Sequence, residues 1–424
     1  MPITATASVQ RVALNNPIIC PTCWSRFAPE KILWIATHPS LIGDANLGEY
    51  EPIRFLPTRF DITGNAIDSK GSICNDLACP RCHMRIPRAN IELKPMFLSI
   101  AGTPSCGKSY FLTSMAWQLR QNFPTEFRVS VTDADPTCNR ILNAYEEQQF
   151  FSSDQDTPVR LRKTEEQGDD YASTMIDGQI VQYVSPFLFS MRPMDSHPSV
   201  DSAAKVSRVL SMYDNAGESF APGRDGVSNP VTRHLGQSMA IFFCYDVMQD
   251  PRVRMALKGK TSDMQVVEQS VTARQEIVLH EVVERFRRLT SLPQSERTDR
   301  PLVVIVTKYD GWKSLLDDME LERPIRRRAD GLGAIDLVHV RAVSDRVREL
   351  LARFSSELVT AAEAFSNNVW FIPVSATGRS PELDTVSGIT GVRPRDIQPI
   401  WCDIPMAVVI SKFSGGLIPF VDKD

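Results

Sequence analysis

"FLSIAGTPSCGKSYFL", residues Phe97–Leu112, decides how the rest of this chain is read. An apolar-rich run leads into Gly102, four residues follow, and Gly107-Lys108-Ser109 opens an apolar-periodic stretch. The order is buried strand, tight loop, helix. Gly102 and Gly107 let the backbone curl so that successive N–H groups point inward, and the start of the helix adds its positive end. Lys108 is expected to reach the terminal phosphates of a bound polyphosphate, and Ser109 to offer its hydroxyl to Mg²⁺. Ser105, Cys106 and Tyr110 complete the expected nucleotide-binding loop. Cys106 is read as a small buried residue that fits its place rather than as a redox-active thiol.

Outward from this loop the chain alternates. Short apolar runs at Met96–Ala101, Phe127–Thr132, Pro186–Phe189, Val206–Tyr213, Met239–Tyr245, Leu302–Thr307 and Val369–Val374 predict strands, most of them buried on both faces. Between them Ser109–Gln121, Met264–Leu289 and Leu337–Phe365 carry apolar residues at three-to-four spacing and predict helices. This alternation implies an α/β fold with a mostly parallel sheet covered by helices over residues 93–424. Polar or punctuated excursions fall near residues 150–180, 217–236 and 320–336. The last holds Arg326-Arg327-Arg328, read as a solvated face in preference to a docking patch. Asp133 and Asp135 are read as turn and cap residues before a helix at Cys138–Phe150 rather than as metal ligands. Trp401 and Phe413 belong to a closing C-terminal helix and tail.

Three further stretches place chemistry at strand ends. In "VLSMYDNAGESF" (Val209–Phe220) a strand delivers Asp214, which can hold a metal-bound water, and Gly217 can turn its N–H toward a terminal phosphate. In "LVVIVTKYD" (Leu302–Asp310) the two carboxylate oxygens of Asp310 can accept the N1–H and the 2-amino group of guanine, a donor pair adenine lacks. The stem of Lys308 would pack on the purine face. In "VWFIPVSATG" (Val369–Gly378) a strand ends in Ser375-Ala376-Thr377, where the Ala376 N–H could meet the guanine carbonyl oxygen.

These four stretches, in this order and each at a strand end, resemble the G1, G3, G4 and G5 boxes of the translation-factor/Ras-like (TRAFAC) class of P-loop GTPases, over roughly Met96 to Thr377. The resemblance implies a P-loop NTPase G domain that binds GTP or GDP with Mg²⁺, hydrolyses GTP, and acts as a molecular switch on a protein effector or activator. It departs from the family at Thr307, where an asparagine is usual, and at Glu218, where Ras-like members carry the glutamine that orients the attacking water. The second departure implies slow unaided hydrolysis. A switch I threonine completing the magnesium shell is expected at Thr164 or Thr174, with Thr157 also in the segment. Arg224 and Arg233 are internal candidates for charge stabilisation, though a solvated position is favoured for both. Residues Lys108, Gly217 and Glu218 form the expected catalytic set.

Ahead of this region, "IICPTCWSRF" and "LACPRCHMRIP" repeat one design, an apolar lead-in followed by Cys-Pro-x-Cys. Two thiolate pairs, Cys20/Cys23 and Cys79/Cys82, suit tetrahedral Zn²⁺, and no thioredoxin-like context supports a redox use. A small zinc-ribbon module is therefore expected over residues 1–92, with the fifty-five residues between Cys23 and Cys79 inserted as a loop. His38 and His83 are possible substitute ligands, but four cysteines already close the site. Arg81, Arg85, Arg88 and Lys94 are too sparse for a dense nucleic-acid face, so docking to protein is favoured over RNA.

Zinc-ribbon GTPases of this kind resemble a bacterial group of switches in conflict or defence systems. Two other readings stand beside the switch: a nucleotide-locked scaffold with little hydrolysis, and an RNA- or ribosome-associated GTPase gripping RNA through the ribbon. The net charge of −4 gives no general attraction to nucleic acid or anionic membrane. No apolar run reaches the ~18 residues of a membrane span, and the first residues lack the pattern of a signal peptide. The cytoplasm is the expected setting, where nine cysteines stay reduced.

Overall fold

The computed structural model describes residues 13–161, 171–215, 217–220, 232–267, 274–385 and 388–423. A seven-stranded sheet forms the centre. Its strands are β1 (Lys94–Gly102), β2 (Val129–Asp133), β3 (Phe187–Pro193), β4 (Arg208–Asp214), β5 (Ala240–Tyr245), β6 (Leu302–Val306) and β7 (Val369–Pro373), in spatial order β2-β3-β4-β1-β5-β6-β7. Pairing is parallel from β4 across to β7, while β3 runs against both β2 and β4. All seven expected strands form, each within a few residues of its sequence bounds. Every residue of β4, β5 and β6 is buried, which is why these segments read as unbroken apolar runs rather than alternating ones.

Register sets the functional edge. Ile100 lies beside Asp214, Gly102 beside Cys244, Tyr245 beside Val306, and Val306 beside Pro373. The carboxyl ends of β1, β4, β5, β6 and β7 therefore finish along one rim. The chain leaves β1 toward β4 on one side and has β5 on the other, so the rim carries a topological switch point, where crevices open in α/β sheets.

Helix α1 (Lys108–Phe127) follows β1 and is buried along most of its length; it ends on Arg128 in the left-handed conformation. Helix α2 (Arg140–Phe150) lies against it, as read from Asp133 and Asp135. The Asp135 carboxylate accepts the Thr137 N–H at 2.8 Å, and Asp133 accepts Asn139 and Asn143 amides at 2.7 and 2.9 Å. Where one helix was expected from Leu337 to Phe365 there are two, α4 (Leu337–Phe354) and α5 (Ser356–Phe365), broken at Ser355, whose φ is −141°. The Met264–Leu289 stretch likewise divides into a short helix, Met264–Val267, and α3 (Gln275–Thr290). The Arg326-Arg327-Arg328 segment is neither helix nor plain loop. Ile325–Arg327 pairs with Gly333–Asp336 in a small sheet, and Arg326 is bound to Asp336. Among the described residues no helix is long and apolar enough to cross a membrane.

The cysteine-rich module begins as two short ribbons, Ile18–Ile19 with Arg26–Phe27 and Leu77–Ala78 with Arg85–Ile86. Leu33–Ile35 and Arg54–Phe55 extend the second ribbon to four strands. The module shares an apolar cluster with the larger domain. Ile18, Trp24, Phe27 and Trp34 pack with Phe97 of β1, Tyr213 of β4, and Tyr183 and Val184 of the hairpin Tyr171–Ile176/Gln179–Val184.

Candidate functional site

The loop after β1 is shaped by close approach. A Cβ on Gly102 would stand 2.6 Å from the Cys244 carbonyl oxygen and 2.8 Å from the Cys106 sulfur, so only glycine fits. Gly107, with φ of +93°, caps the start of α1, and Ser105 is also left-handed at +62°. Outside groups hold the loop carbonyls. Thr307 Oγ1 donates to the Cys106 oxygen at 2.8 Å, Gln249 Nε2 to that of Pro104 at 3.3 Å, and Lys308 Nζ to that of Ser105 at 3.3 Å. Three of the loop's carbonyls are thus tied to side chains outside it, while within it the Cys106 N–H donates to the Thr103 carbonyl at 3.4 Å. Lys108 and Ser109 start α1, and Lys108 is buried. Cys106 is fully buried, as expected of a residue that simply fits.

Beside the loop lies a cavity of about 490 Å³, floored by the ends of β6 and β7. Its lining includes Ser105, Gly107, Lys108, Ser109 and Tyr110 from the loop and the start of α1, and Thr307, Lys308, Asp310, Ser375, Ala376 and Thr377 from the segments that follow β6 and β7. Three of the four expected stretches thus converge on one hollow. Asp310 accepts the Ser375 hydroxyl on one carboxylate oxygen and the Ser380 hydroxyl, at 3.2 Å, on the other. Burial pushes the Asp310 carboxyl up, with these two hydroxyls pulling against it. Lys308 is left-handed at +58° and reaches Asp246 Oδ2 at 2.5 Å and Gln265 Oε1 at 2.7 Å. Burial works against its charge, but Asp246 outweighs that and holds its pKa above the ordinary lysine value. The Ala376 carbonyl accepts the Ser114 hydroxyl at 2.7 Å, which ties β7's end to α1.

The fourth stretch stands at the same rim but outside the cavity lining. Asp214 ends β4, buried, one strand from β1. Gly217 and Glu218 open a single 3-10 turn, Gly217–Phe220; the side chain of Glu218 lies outside the described residues. So do Thr164 and Arg224. Thr157 is exposed in a turn closed by its N–H on Asp154 at 3.0 Å, and Arg233 is exposed just before the one-turn helix His234–Gln237. The expectation for Thr174 is corrected. Its hydroxyl donates to the Cys82 carbonyl oxygen at 2.8 Å, with the residue 2% exposed against the cysteine module, so it is committed there and not turned toward the loop.

Several residues in the cavity wall or directly behind it were not foreseen. Asp246, at the end of β5, anchors Lys308 and accepts Gln265 Nε2 at 2.9 Å; an acidic residue directly after a buried strand was the available signal. Gln249 and Gln275 hold Thr103 between them at 3.2 Å each, and Asp263, Arg160 and Leu161 complete the walls. No sequence pattern pointed to these.

At the cysteine centre the two Cys-Pro-x-Cys turns are near copies. Trp24 and His83, each following the second cysteine, are left-handed at +56° and +60°, and their N–H groups return to Cys20 and Cys79 carbonyls at 3.1 and 3.0 Å. Thr22 and Arg81 N–H groups donate to the Cys20 and Cys79 sulfurs, both at 3.4 Å. The four sulfurs lie within 4.8 Å of one another, with Cys20–Cys82 at 3.8 Å and Cys23–Cys79 at 3.7 Å. Sulfurs held at ~2.3 Å around a tetrahedral ion are ~3.8 Å apart, so the cluster can hold a metal such as zinc. The histidines are occupied elsewhere: His83 Nδ1 lies 2.9 Å from both Asp44 oxygens, and His38 Nδ1 takes the Ser40 N–H at 3.2 Å.

Fold and site together define a mixed α/β protein with a glycine-framed loop at the carboxyl rim of its sheet and a four-cysteine cluster, able to hold a metal, in the module packed against that sheet. No protein-family model matches the chain, and no curated protein matches it.

Proposed function

We propose that this chain is a cytoplasmic P-loop GTPase of the TRAFAC class that binds GTP and Mg²⁺, hydrolyses the γ-phosphate and switches a partner protein, with zinc in its cysteine module. The observation that carries the reading is the single cavity that joins the loop of Lys108 and Ser109 to Asp310 and Ser375–Thr377. Lys108 draws charge from the terminal phosphates, and the Gly217 N–H meets the γ-phosphate. Ser109 and Asp214 would hold Mg²⁺, which neutralises charge between the β- and γ-phosphates. Thr307 fixes the loop to the sheet through its hydroxyl, which explains how a threonine serves where the family usually has asparagine. Asp310 gives up its Ser380 partner, the longer of its two bonds, to accept the purine's N1–H and 2-amino group. Water attacks the γ-phosphorus in line, the bond to the bridging oxygen breaks, and GDP, phosphate and a proton leave. The resemblance gives Glu218 the position of the water-orienting residue, and its negative charge there would make unaided turnover slow. Four thiolates with no nitrogen ligand favour zinc among common divalent ions. A role in a bacterial defence system rests on the resemblance alone.

Chromatography of the nucleotide released on denaturing the purified protein, together with metal analysis, tests this. Guanine nucleotide and one zinc per chain are expected. Adenine nucleotide in wild-type protein would overturn the base assignment, as would undiminished guanine content in Asp310→Ala.

A further inference from the structure

We propose that Arg160 is a phosphate-binding residue of the nucleotide cavity; this rests on the nucleotide reading above. The cavity wall carries three arginine or lysine side chains beyond Lys108: Arg160, Lys308 and Arg379. Two are already neutralised. Lys308 is paired with Asp246 at 2.5 Å, and Arg379 with Glu382 at 2.9 Å and Asp396 at 3.1 Å. Arg160 forms no ion pair among the described residues, and it is exposed at the cavity wall. Among the described residues, the hollow therefore holds one guanidinium with no carboxylate partner, in the same cavity as the glycine-framed loop.

Its backbone is held in place. The Leu161 N–H donates to Tyr110 Oη at 3.0 Å, and Tyr110 directly follows Ser109 in the first turn of α1. On the other side the Val159 N–H donates to the Val392 carbonyl at 3.0 Å, and the Arg395 N–H reaches that of Gln155 at 3.4 Å. Gly391 makes this approach possible, since a Cβ there would stand 2.3 Å from the Val159 oxygen. Two segments distant in sequence thus hold residues 155–161 against the start of α1, and Arg160 stands in the same cavity wall as Lys108, Ser109 and Tyr110. A guanidinium fork matches a phosphate's oxygens. The sequence motifs that define the loop give no hint of it, because residue 160 reaches the site only through this pairing.

The test is equilibrium titration of wild type, Arg160→Ala and Arg160→Lys with GTP, GDP, guanosine, ATP and adenosine at two salt concentrations, with circular dichroism to confirm folding. Arg160→Ala should bind GTP and GDP about ten- to a hundredfold more weakly, bind guanosine as before and lose part of its salt dependence; Arg160→Lys should recover much of the difference. Unchanged affinity for the nucleotides overturns the proposal, and so does an equal loss for guanosine, which would put the side chain on the base. If wild type prefers ATP, the guanine reading fails while the ATP–adenosine comparison still decides Arg160. Binding of none of the five by wild type overturns both.

Discussion

At Gly102 the clash is with backbone, 2.6 Å from the Cys244 carbonyl oxygen, so no side chain can swing aside to relieve it. Gly102→Ala is expected to lower stability by about 1–3 kcal/mol and to abolish nucleotide binding, measured by urea denaturation and titration. A variant that binds normally would contradict the tight packing of the loop on β5. Asp310 carries a pH signature. Burial raises its carboxyl, and only the ionised form accepts two donors, so guanine affinity should fall on acidification sooner than an exposed carboxylate would allow. Both residues were legible in the sequence because each sits at a fixed offset from a buried strand. Asp263, Gln265 and Arg160 were not, since they come to the cavity from segments whose local pattern says nothing about where they fold. Thr174 shows the reverse hazard. The family resemblance made it one of the candidates for the magnesium shell, whereas in the structure its hydroxyl is bound to the Cys82 carbonyl. Thr174→Val should cost about 1 kcal/mol and leave magnesium-dependent nucleotide affinity unchanged; a weakened magnesium dependence would restore the original expectation.

Among elements, the strands of the central sheet were readable to within a few residues, most closely β5, β6 and β7, whose burial leaves few polar positions to blur the run, whereas the hairpin Tyr171–Ile176/Gln179–Val184 was not foreseen. Helix limits were less so. The periodic stripe from Leu337 to Phe365 continues through Ser355, and only the structure shows the break, where the Ser355 hydroxyl donates to Asp250 Oδ2 at 2.9 Å. The α1–α2–β2 contact yields a further prediction. Glu146, 4% exposed and bound to Arg120, has its pKa raised from 4.5 to about 7, chiefly by burial, with Arg120 opposing. As pH rises through this window the unfolded chain ionises first and the folded protein resists, so this group removes stability between roughly pH 4.5 and 7, on the order of 1–3 kcal/mol. Glu146→Gln should flatten that part of the pH profile, comparing urea midpoints at pH ~5 and pH ~8. An identical slope in both proteins would contradict the assignment.

For the whole molecule, the cysteine module and the sheet form one packed body at a sensitive place. Trp24 Nε1 donates to Tyr213 Oη at 3.0 Å, and that hydroxyl donates to the Pro21 carbonyl at 2.6 Å. Tyr213 immediately precedes Asp214 and stacks at 4.8 Å on His234, which in turn contacts Asn215 Oδ1 at 2.9 Å. The CxxC spacing announced a metal centre, but not that its first turn would rest on the strand carrying Asp214. Stripping the metal should release Trp24 from Tyr213, shift tryptophan emission to the red and lower the melting temperature by roughly 10 °C. It should also weaken nucleotide binding by disturbing the end of β4. Unchanged nucleotide affinity in metal-free protein that has lost the Trp24 contact would show the two sites to be independent.

The central claim is that Asp310 selects guanine while the Gly102–Ser109 loop grips the phosphates. Isothermal titration of the nucleotide-free protein with GTP and with ATP in magnesium, repeated on Asp310→Asn, measures it most directly. The account predicts GTP bound at least a hundredfold more tightly than ATP by wild type, and that margin lost in the variant. Equal affinities in wild type, or a preference that survives the substitution, would contradict it.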